Sequence, residues 1–215
     1  MYLRIFFVAI LILSAPIFVE AQVPVLVDQT SLHDIEIITD PVHAQAFYGM
    51  LDDFPHTYEI RVKEPFILRA EVLIPDIASA KELVSGIIIR ETGRQGKVTE
   101  VTRMLAKDAS WESFYDFSGG DSYRRGGMYE AEVTPGVYRI EVSTPDNDAP
   151  YVLVIGTEKG WGDIGYIEMV ARIADVKAFF GKSKLMVVQS PLVYVPILTI
   201  LGVCIVVFLW KRRRV

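Results

Sequence analysis

The sequence of residues 129–156 is YEAEVTPGVYRIEVSTPDNDAPYVLVIG, and it decides the fold class. Turn-forming residues at Pro135-Gly136 and at Asp146-Asn147-Asp148 divide it into three segments. In the middle segment apolar and polar residues alternate, which is typical of a strand with one buried face. The apolar positions are Tyr138, Ile140 and Val142. The stretch therefore predicts a three-stranded antiparallel meander.

The period of two continues toward the N-terminus. Further strands are predicted at 58–62, 66–74, 83–89, 98–105 and 111–117. Residues 83–89 are continuously apolar, which predicts a strand covered on both faces. A turn is expected at 93–96, and the Gly119-Gly120 and Gly126-Gly127 pairs are expected to bracket a mobile polar loop.

Eight or nine short strands over about 115 residues predict a mainly β fold, an antiparallel β-sandwich or jelly roll. We assign it to residues 44–158, with residues 22–43 as an N-terminal extension. Residues 151–155 are apolar on both faces, as expected near the centre of a sandwich.

After Gly156 the apolar period changes to three or four residues, which predicts an amphipathic connector helix within 159–183. The stripe consists of Tyr166, Met169, Val170, Ile173, Val176 and Phe180. Two placements remain open. The helix packs on the sandwich, or it lies in a membrane interface with Phe179, Lys177, Lys182 and Lys184 contributing. Residues 184–191 are expected to form a short linker.

Residues 192–210 form an uninterrupted apolar stretch of about 19 residues, roughly 28 Å as a helix, which matches a bilayer core. The basic tail 211–215 follows, and positive charge beside a spanning helix favours the cytoplasmic side. The alternative, a buried core helix, rarely ends in such a basic cluster. Lipid contact through Leu192 to Trp210 is therefore predicted.

Residues 1–21 have the composition of a signal peptide, with Arg4 before an apolar run and a cleavage site after Ala21. An uncleaved N-terminal anchor is the alternative. Together the two ends predict a single-pass protein of the plasma (cytoplasmic) membrane, with its domain outside and its tail in the cytoplasm.

Between the two ends, residues 22–190 contain 17 basic and 26 acidic residues, a formal charge of −9. Such a surface disfavours binding to nucleic acid. The sole cysteine, Cys204, lies in the predicted span, so the outer domain has no disulfide. The sole asparagine, Asn147, lies outside any glycosylation sequon. These features favour a prokaryotic cell-envelope protein.

The segment Pro135-Gly136-Val137-Tyr138-Arg139-Ile140-Glu141-Val142, followed by Tyr151-Val152-Leu153-Val154-Ile155-Gly156, resembles the closing strands of bacterial pre-peptidase C-terminal (PPC) domains. The resemblance covers mainly residues 129–157. It implies a noncatalytic, extracytoplasmic jelly-roll module, and some members of the family bind calcium or sugar. No peptidase accompanies the module in this sequence.

Loops beside these strands contain hard oxygen ligands suited to calcium. The candidate ligands are Asp116, Asp121, Asp146, Asn147 and Asp148. Their spacing is not that of an EF-hand, and turns favour the same residue types for backbone reasons alone. The histidines His33, His43 and His56 lack zinc-motif spacing. No cofactor is therefore predicted, with calcium as the one candidate.

Aromatic residues cluster around the predicted polar loop. Trp111, Tyr115 and Tyr123 are candidates for stacking on a ligand, with burial in the core as the alternative. No nucleophile motif is present, and the paired carboxylates Glu130 and Glu132 are expected at the surface.

Two functions remain open from the sequence. The first is a noncatalytic, membrane-anchored module that binds a ligand or a membrane-protein partner. The second is a membrane-tethered hydrolase whose active site lacks a recognisable motif. The sequence favours the first over an enzyme.

Overall fold

The computed structural model describes residues 22–92 and 97–212. The expected signal peptide, the turn at 93–96 and the last three tail residues lie outside these ranges. In chain order the strands are β1 (Val23–Leu26), β2 (Ile35–Ile38), β3 (Gln45–Asp52), β4 (His56–Val62), β5 (Phe66–Pro75), β6 (Ser85–Glu91), β7 (Val98–Met104), β8 (Glu112–Asp116), β9 (Asp121–Val133), β10 (Gly136–Ser143) and β11 (Asp148–Ile155). The helices are α1 (Tyr166–Phe179) and α2 (Pro191–Arg212), with 3₁₀ turns at Ala106–Asp108 and Lys184–Gln189.

Two sheets form a β-sandwich, which confirms the predicted fold class. One sheet has six strands in the order β1-β3-β11-β5-β9-β8, and the other has five in the order β2-β4-β10-β6-β7. The core between them contains the apolar side of the predicted alternation, including Tyr138, Ile140 and Val142. The predicted three-stranded meander is wrong, because β10 lies in the five-stranded sheet whereas β9 and β11 lie in the six-stranded sheet, so that neither consecutive pair of strands forms a hairpin.

Both sheets are mixed rather than purely antiparallel. β1 pairs with β3 in parallel, and β2 pairs with β4 in parallel. These two edge strands come from residues 22–43, the segment expected to be an extension. Their parallel pairing follows from topology, because each connection crosses to the other sheet instead of turning back in a hairpin.

The predicted mobile loop between the two glycine pairs is mostly strand. Only Gly119 and Gly120 lie in a turn, and β9 continues through Gly126 and Gly127. A Cβ atom on Gly127 would lie 2.6 Å from the Cβ atom of Met104, so glycine permits a close approach of β7. The glycine pair marks tight packing inside a strand, beside a register irregularity between β5 and β9.

The helix α1 covers the outer face of β11, a strand that is apolar on both faces. The outer face of β11, with Val152 and Val154, packs against Val176 of α1. The continuous apolar run of β11 is therefore explained by a helix as well as by the sandwich core. β6 was expected to be covered on both faces, but Ile87 and Ile89 are only half-buried, because no described helix covers the five-stranded sheet.

The helix α2 is 22 residues long and strongly apolar, with a mean hydropathy of 2.8 over its most apolar window. None of that window is buried within the protein. Among the described residues it is the single helix long and apolar enough to cross a membrane. The candidate span thus begins one residue before, and ends two residues after, the predicted stretch 192–210.

Candidate functional site at the root of the C-terminal helix

A buried ion pair joins α1 to the turn between β8 and β9. The Nζ atom of Lys177 lies 2.7 Å from Asp121 Oδ2, and Lys182 Nζ lies 2.6 Å from Asp121 Oδ1. Lys177 is fully buried, and it also donates a hydrogen bond to the carbonyl oxygen of Gly120. Two cations therefore share one carboxylate, which offsets the cost of removing these charges from water.

Asp116 organises the same turn. Its two carboxylate oxygens accept hydrogen bonds from the backbone N–H groups of Ser118 and Gly119, at 2.9 and 2.8 Å. Burial raises the pKa of Asp116, and the nearby charge of Asp121 adds to the effect against the lowering by these hydrogen bonds. The carboxyl group of Asp116 is thus easier to protonate than that of an exposed aspartate.

A small cavity lies beside these two aspartates, between the outer face of the six-stranded sheet and α1. Its volume is about 10 Å³, which is room for about one water molecule. Tyr48 and Tyr123 line it, and burial raises the pKa of both hydroxyl groups. The space suits an ordered water more than an organic ligand.

The start of α2 is fastened to this turn. The hydroxyl group of Ser190 donates to the carbonyl oxygen of Ser118, and both residues are buried. A Cβ atom on Gly120 would lie 2.8 Å from the carbonyl oxygen of Gln189, and the φ of Gly120 is +67°. Glycine is therefore required there both for the close approach and for the left-handed backbone.

A second attachment comes from α1. The hydroxyl group of Tyr166 donates to the carbonyl oxygen of Leu192 at 2.6 Å. Leu192 also packs with Met169 and Ile173 of α1 in a small apolar cluster. The expected linker is thus a 3₁₀ turn packed on α1, and the sandwich has a fixed position at the root of α2.

The remaining calcium candidates lie in the turn between β10 and β11. Lys81 Nζ lies 2.9 Å from Asp146 Oδ2 and 3.8 Å from Asp148 Oδ2. The ammonium group of Lys81 therefore already forms ion pairs with both carboxylates. The Lys81 and Thr144 hydrogen bonds lower the pKa of Asp146 to about 2. Asn147 accepts from the Thr144 N–H and has a left-handed backbone, which asparagine tolerates in turns.

The five calcium candidates therefore form two groups in two different turns, and in each group a lysine lies against at least one carboxylate, Asp121 in the first and Asp146 in the second. No cluster of three or more His, Cys, Asp or Glu residues with metal-binding geometry occurs within 22–92 and 97–212. Calcium binding stays a prediction.

The three candidate ligand-binding aromatics lie in different environments. Trp111 is half-buried and donates its indole N–H to the Ala106 carbonyl oxygen. Tyr123 is buried beneath α1, whereas Tyr115 is exposed and makes an edge-on contact with Phe117 at 5.1 Å between ring centroids. The structure does not bring the three together as one stacking platform.

His56, one of the three histidines without zinc-motif spacing, lies in the core. Its Nδ1 atom is 2.7 Å from the Tyr151 hydroxyl, which is 2.6 Å from the Tyr58 hydroxyl. Burial lowers the pKa of His56. By contrast, Glu130 and Glu132 lie exposed on β9, as expected.

The outer face of the five-stranded sheet combines apolar side chains with an ion-pair network. Glu59 is buried, and it accepts hydrogen bonds from Arg61 at 2.6 Å and Arg139 at 3.0 Å. Arg139 also lies 2.8 Å from Glu91. Burial raises the pKa of Glu59, but the two arginine hydrogen bonds outweigh it, so that the pKa is lowered. Ile35 and Ile37 are exposed at the β2 edge of this face.

The sequence interpretation missed the buried role of Lys177 and the contact of Ser118 with Ser190. A signal for Lys177 was present, because it follows Ile173 by four residues and therefore lies on the apolar stripe of α1. No comparable signal exists for the serine pair, whose partners are far apart in the chain.

No protein-family model matches the chain, and no curated protein matches it. Solved structures with a similar fold include the pre-peptidase C-terminal domain of a collagenase from Bacillus anthracis, at 11% identity and a TM-score of 0.36. That match covers 59% of this chain and 98% of the domain. The PPC likeness predicted from residues 129–157 thus reappears among solved structures.

Two further structures have lower scores. PliG, a periplasmic inhibitor of g-type lysozyme from Aeromonas hydrophila, is 13% identical, with 63% of this chain and 98% of PliG covered and a TM-score of 0.31. CorA, a surface-associated copper-binding protein from Methylomicrobium album BG8, is 6% identical, with 58% and 98% covered and a TM-score of 0.31. TM-scores below 0.5 do not establish a common function.

Proposed function

We propose that this chain is a membrane-anchored, noncatalytic module whose β-sandwich binds a membrane-protein partner. The helix α2 crosses the membrane, the sandwich lies outside the cytoplasm, and the basic residues after α2 lie inside. One observation carries the proposal: the sandwich is fixed to the root of α2 at its six-stranded sheet and leaves its five-stranded sheet uncovered.

The anchor is supported by length and charge. A helix of 22 residues is about 33 Å long, enough for a hydrocarbon core of about 30 Å. Lys211 and Arg212 at its end favour the cytoplasmic side. A signal peptide at 1–21 would place the domain on the opposite side.

The fixed joint favours a partner in the same membrane. A flexible linker would let a domain reach partners over a wide volume, whereas here the contacts of Ser190 and Tyr166 hold the sandwich against the start of α2. The sandwich can then reach only a partner whose outer surface lies at the same distance from the membrane. A protein anchored in the same membrane meets that condition.

The partner face is the outer side of the five-stranded sheet. Ile37 supplies exposed apolar area, and Arg139 with Glu59 supplies a preorganised charged group. Non-obligate protein interfaces have this mixture of apolar and polar surface, with arginine enriched.

The test is purification of the full chain, tagged after Val215, from mildly solubilised membranes of its host, followed by mass spectrometry. A stoichiometric membrane protein should accompany the wild-type chain, and Ile37→Asp should abolish its recovery. Ile67→Asp is the matched control, because Ile67 is equally exposed but belongs to the other sheet. Recovery of the chain alone would overturn the proposal and favour direct ligand binding by the domain.

A further inference from the structure

Exposed apolar side chains lie on the segments that contact the root of α2. They are Phe117 at 65% exposure, Ile167 at 84%, Leu185 at 80% and Val188 at 53%. Single exposed apolar residues are ordinary at protein surfaces, but several around one point indicate an interaction site.

Each of them lies on, or next in the chain to, a segment that contacts the helix root. Phe117 adjoins Ser118, whose carbonyl oxygen accepts from Ser190. Ile167 adjoins Tyr166, whose hydroxyl donates to Leu192. The turn after β8 and the start of α1 are thus both bound to residues at the start of α2, and each includes an exposed apolar residue.

Aromatic residues continue the patch onto α2. Tyr115 makes an edge-on contact with Phe117, and the neighbouring Tyr194 in the first turn of α2 helps to raise the pKa of Tyr115, after the larger effect of burial. Tyrosine is favoured at the boundary between headgroups and acyl chains, where its ring is in an apolar layer and its hydroxyl stays hydrated.

We infer that Phe117, Ile167, Leu185 and Val188 form a lipid-contact surface, which inserts into the headgroup region of the membrane that α2 crosses. This inference rests on the proposed anchoring. The occupant is the bilayer, because the patch is continuous with the apolar surface of α2. The lipids that surround α2 therefore also contact the patch. The sandwich is then seated on the membrane and not merely tethered to it.

The chain's sole cysteine allows a direct test. In a Cys204→Ser background of the full chain, single cysteines at Phe117→Cys and Leu185→Cys are labelled with an environment-sensitive nitrobenzoxadiazole probe and reconstituted into phosphatidylcholine vesicles. Ile67→Cys is the distal control, because Ile67 pairs with Glu132 on β9, about 35 Å along the strand from Asp121.

Probes at 117 and 185 should emit at shorter wavelength than the probe at 67 and lose several-fold more intensity to lipids with a nitroxide placed high on the acyl chain. Emission at all three positions as in water would overturn the inference, as would a blue shift without quenching by lipid, which indicates cover by a second copy.

Extraction of the vesicles with alkaline carbonate separates the two proposals. Release of the chain means that anchoring itself fails, whereas retention with a water-exposed probe at 117 means that only the lipid contact fails.

Discussion

The ammonium group of Lys177 lies 2.7 Å from the carboxylate of Asp121, and the lysine side chain is completely buried. This pair connects the helix that covers the six-stranded sheet with the turn that holds the start of α2. The charge of Lys177 requires Asp121, because water cannot solvate a completely buried ammonium group once its carboxylate is removed.

Replacing Lys177 by Met should therefore destabilise the domain by about 3 kcal/mol, since it leaves a buried carboxylate with only Lys182 as its cation. Thermal unfolding of the detergent-solubilised chain, followed by near-ultraviolet circular dichroism, should show a Tm lower by roughly 6–12 °C. The double variant Lys177→Met/Asp121→Leu should recover part of the loss, because no buried charge remains unpaired. A double variant less stable than Lys177→Met would contradict this account.

Asp116 should make stability depend on pH in the direction opposite to that of a salt-bridged carboxylate. Its pKa is raised in the folded protein. The folded state therefore binds more protons, and the stability contributed by Asp116 is full below the unfolded pKa and is lost as pH rises through the folded pKa. Asp116→Asn loses an acceptor oxygen at every pH, but its Tm relative to wild type should improve steadily from acid to neutral pH. A Tm difference that stays constant over that range would refute the assignment.

Gly127 should not tolerate a side chain. Gly127→Ala places a Cβ atom against Met104, including its backbone, and overpacking of this kind costs about 1–3 kcal/mol. Gly202→Ala is the control, because a Cβ atom at Gly202 meets no atom within 4 Å. Thermal melting should separate the two variants, and equal Tm values would show that β7 moves aside without cost.

Calcium should have little effect on the folded domain. Lys81 lies against Asp146, and Lys177 and Lys182 lie against Asp121, so a cation would have to displace an ammonium group at either turn. We expect the Tm of the full chain to be the same in EDTA and in about 1 mM calcium, a concentration at which extracellular calcium modules bind. A calcium-dependent rise in Tm that is lost in Asp146→Asn, but kept in Asp108→Asn, would instead support the calcium site predicted from the sequence.

The strand alternation within residues 58–156, the helical period of residues 166–180 and the apolar composition of residues 192–210 are local properties, and they predicted the sandwich, the helix α1 and the candidate span. A side chain's face on a strand or helix is set by its position in a short period, so the sequence itself reports it. The same period marks the Lys177 position as one that faces the sandwich.

Tertiary structure alone decided which elements meet. The partner of Lys177 is Asp121 because α1 lies over β9, and Gly126-Gly127 is part of a strand because β9 pairs with β5 on both sides of it. The calcium candidates separate into two turns for the same reason. These outcomes depend on contacts between segments distant in the chain, and their free energies come from packing and desolvation in the assembled fold, which no local pattern encodes.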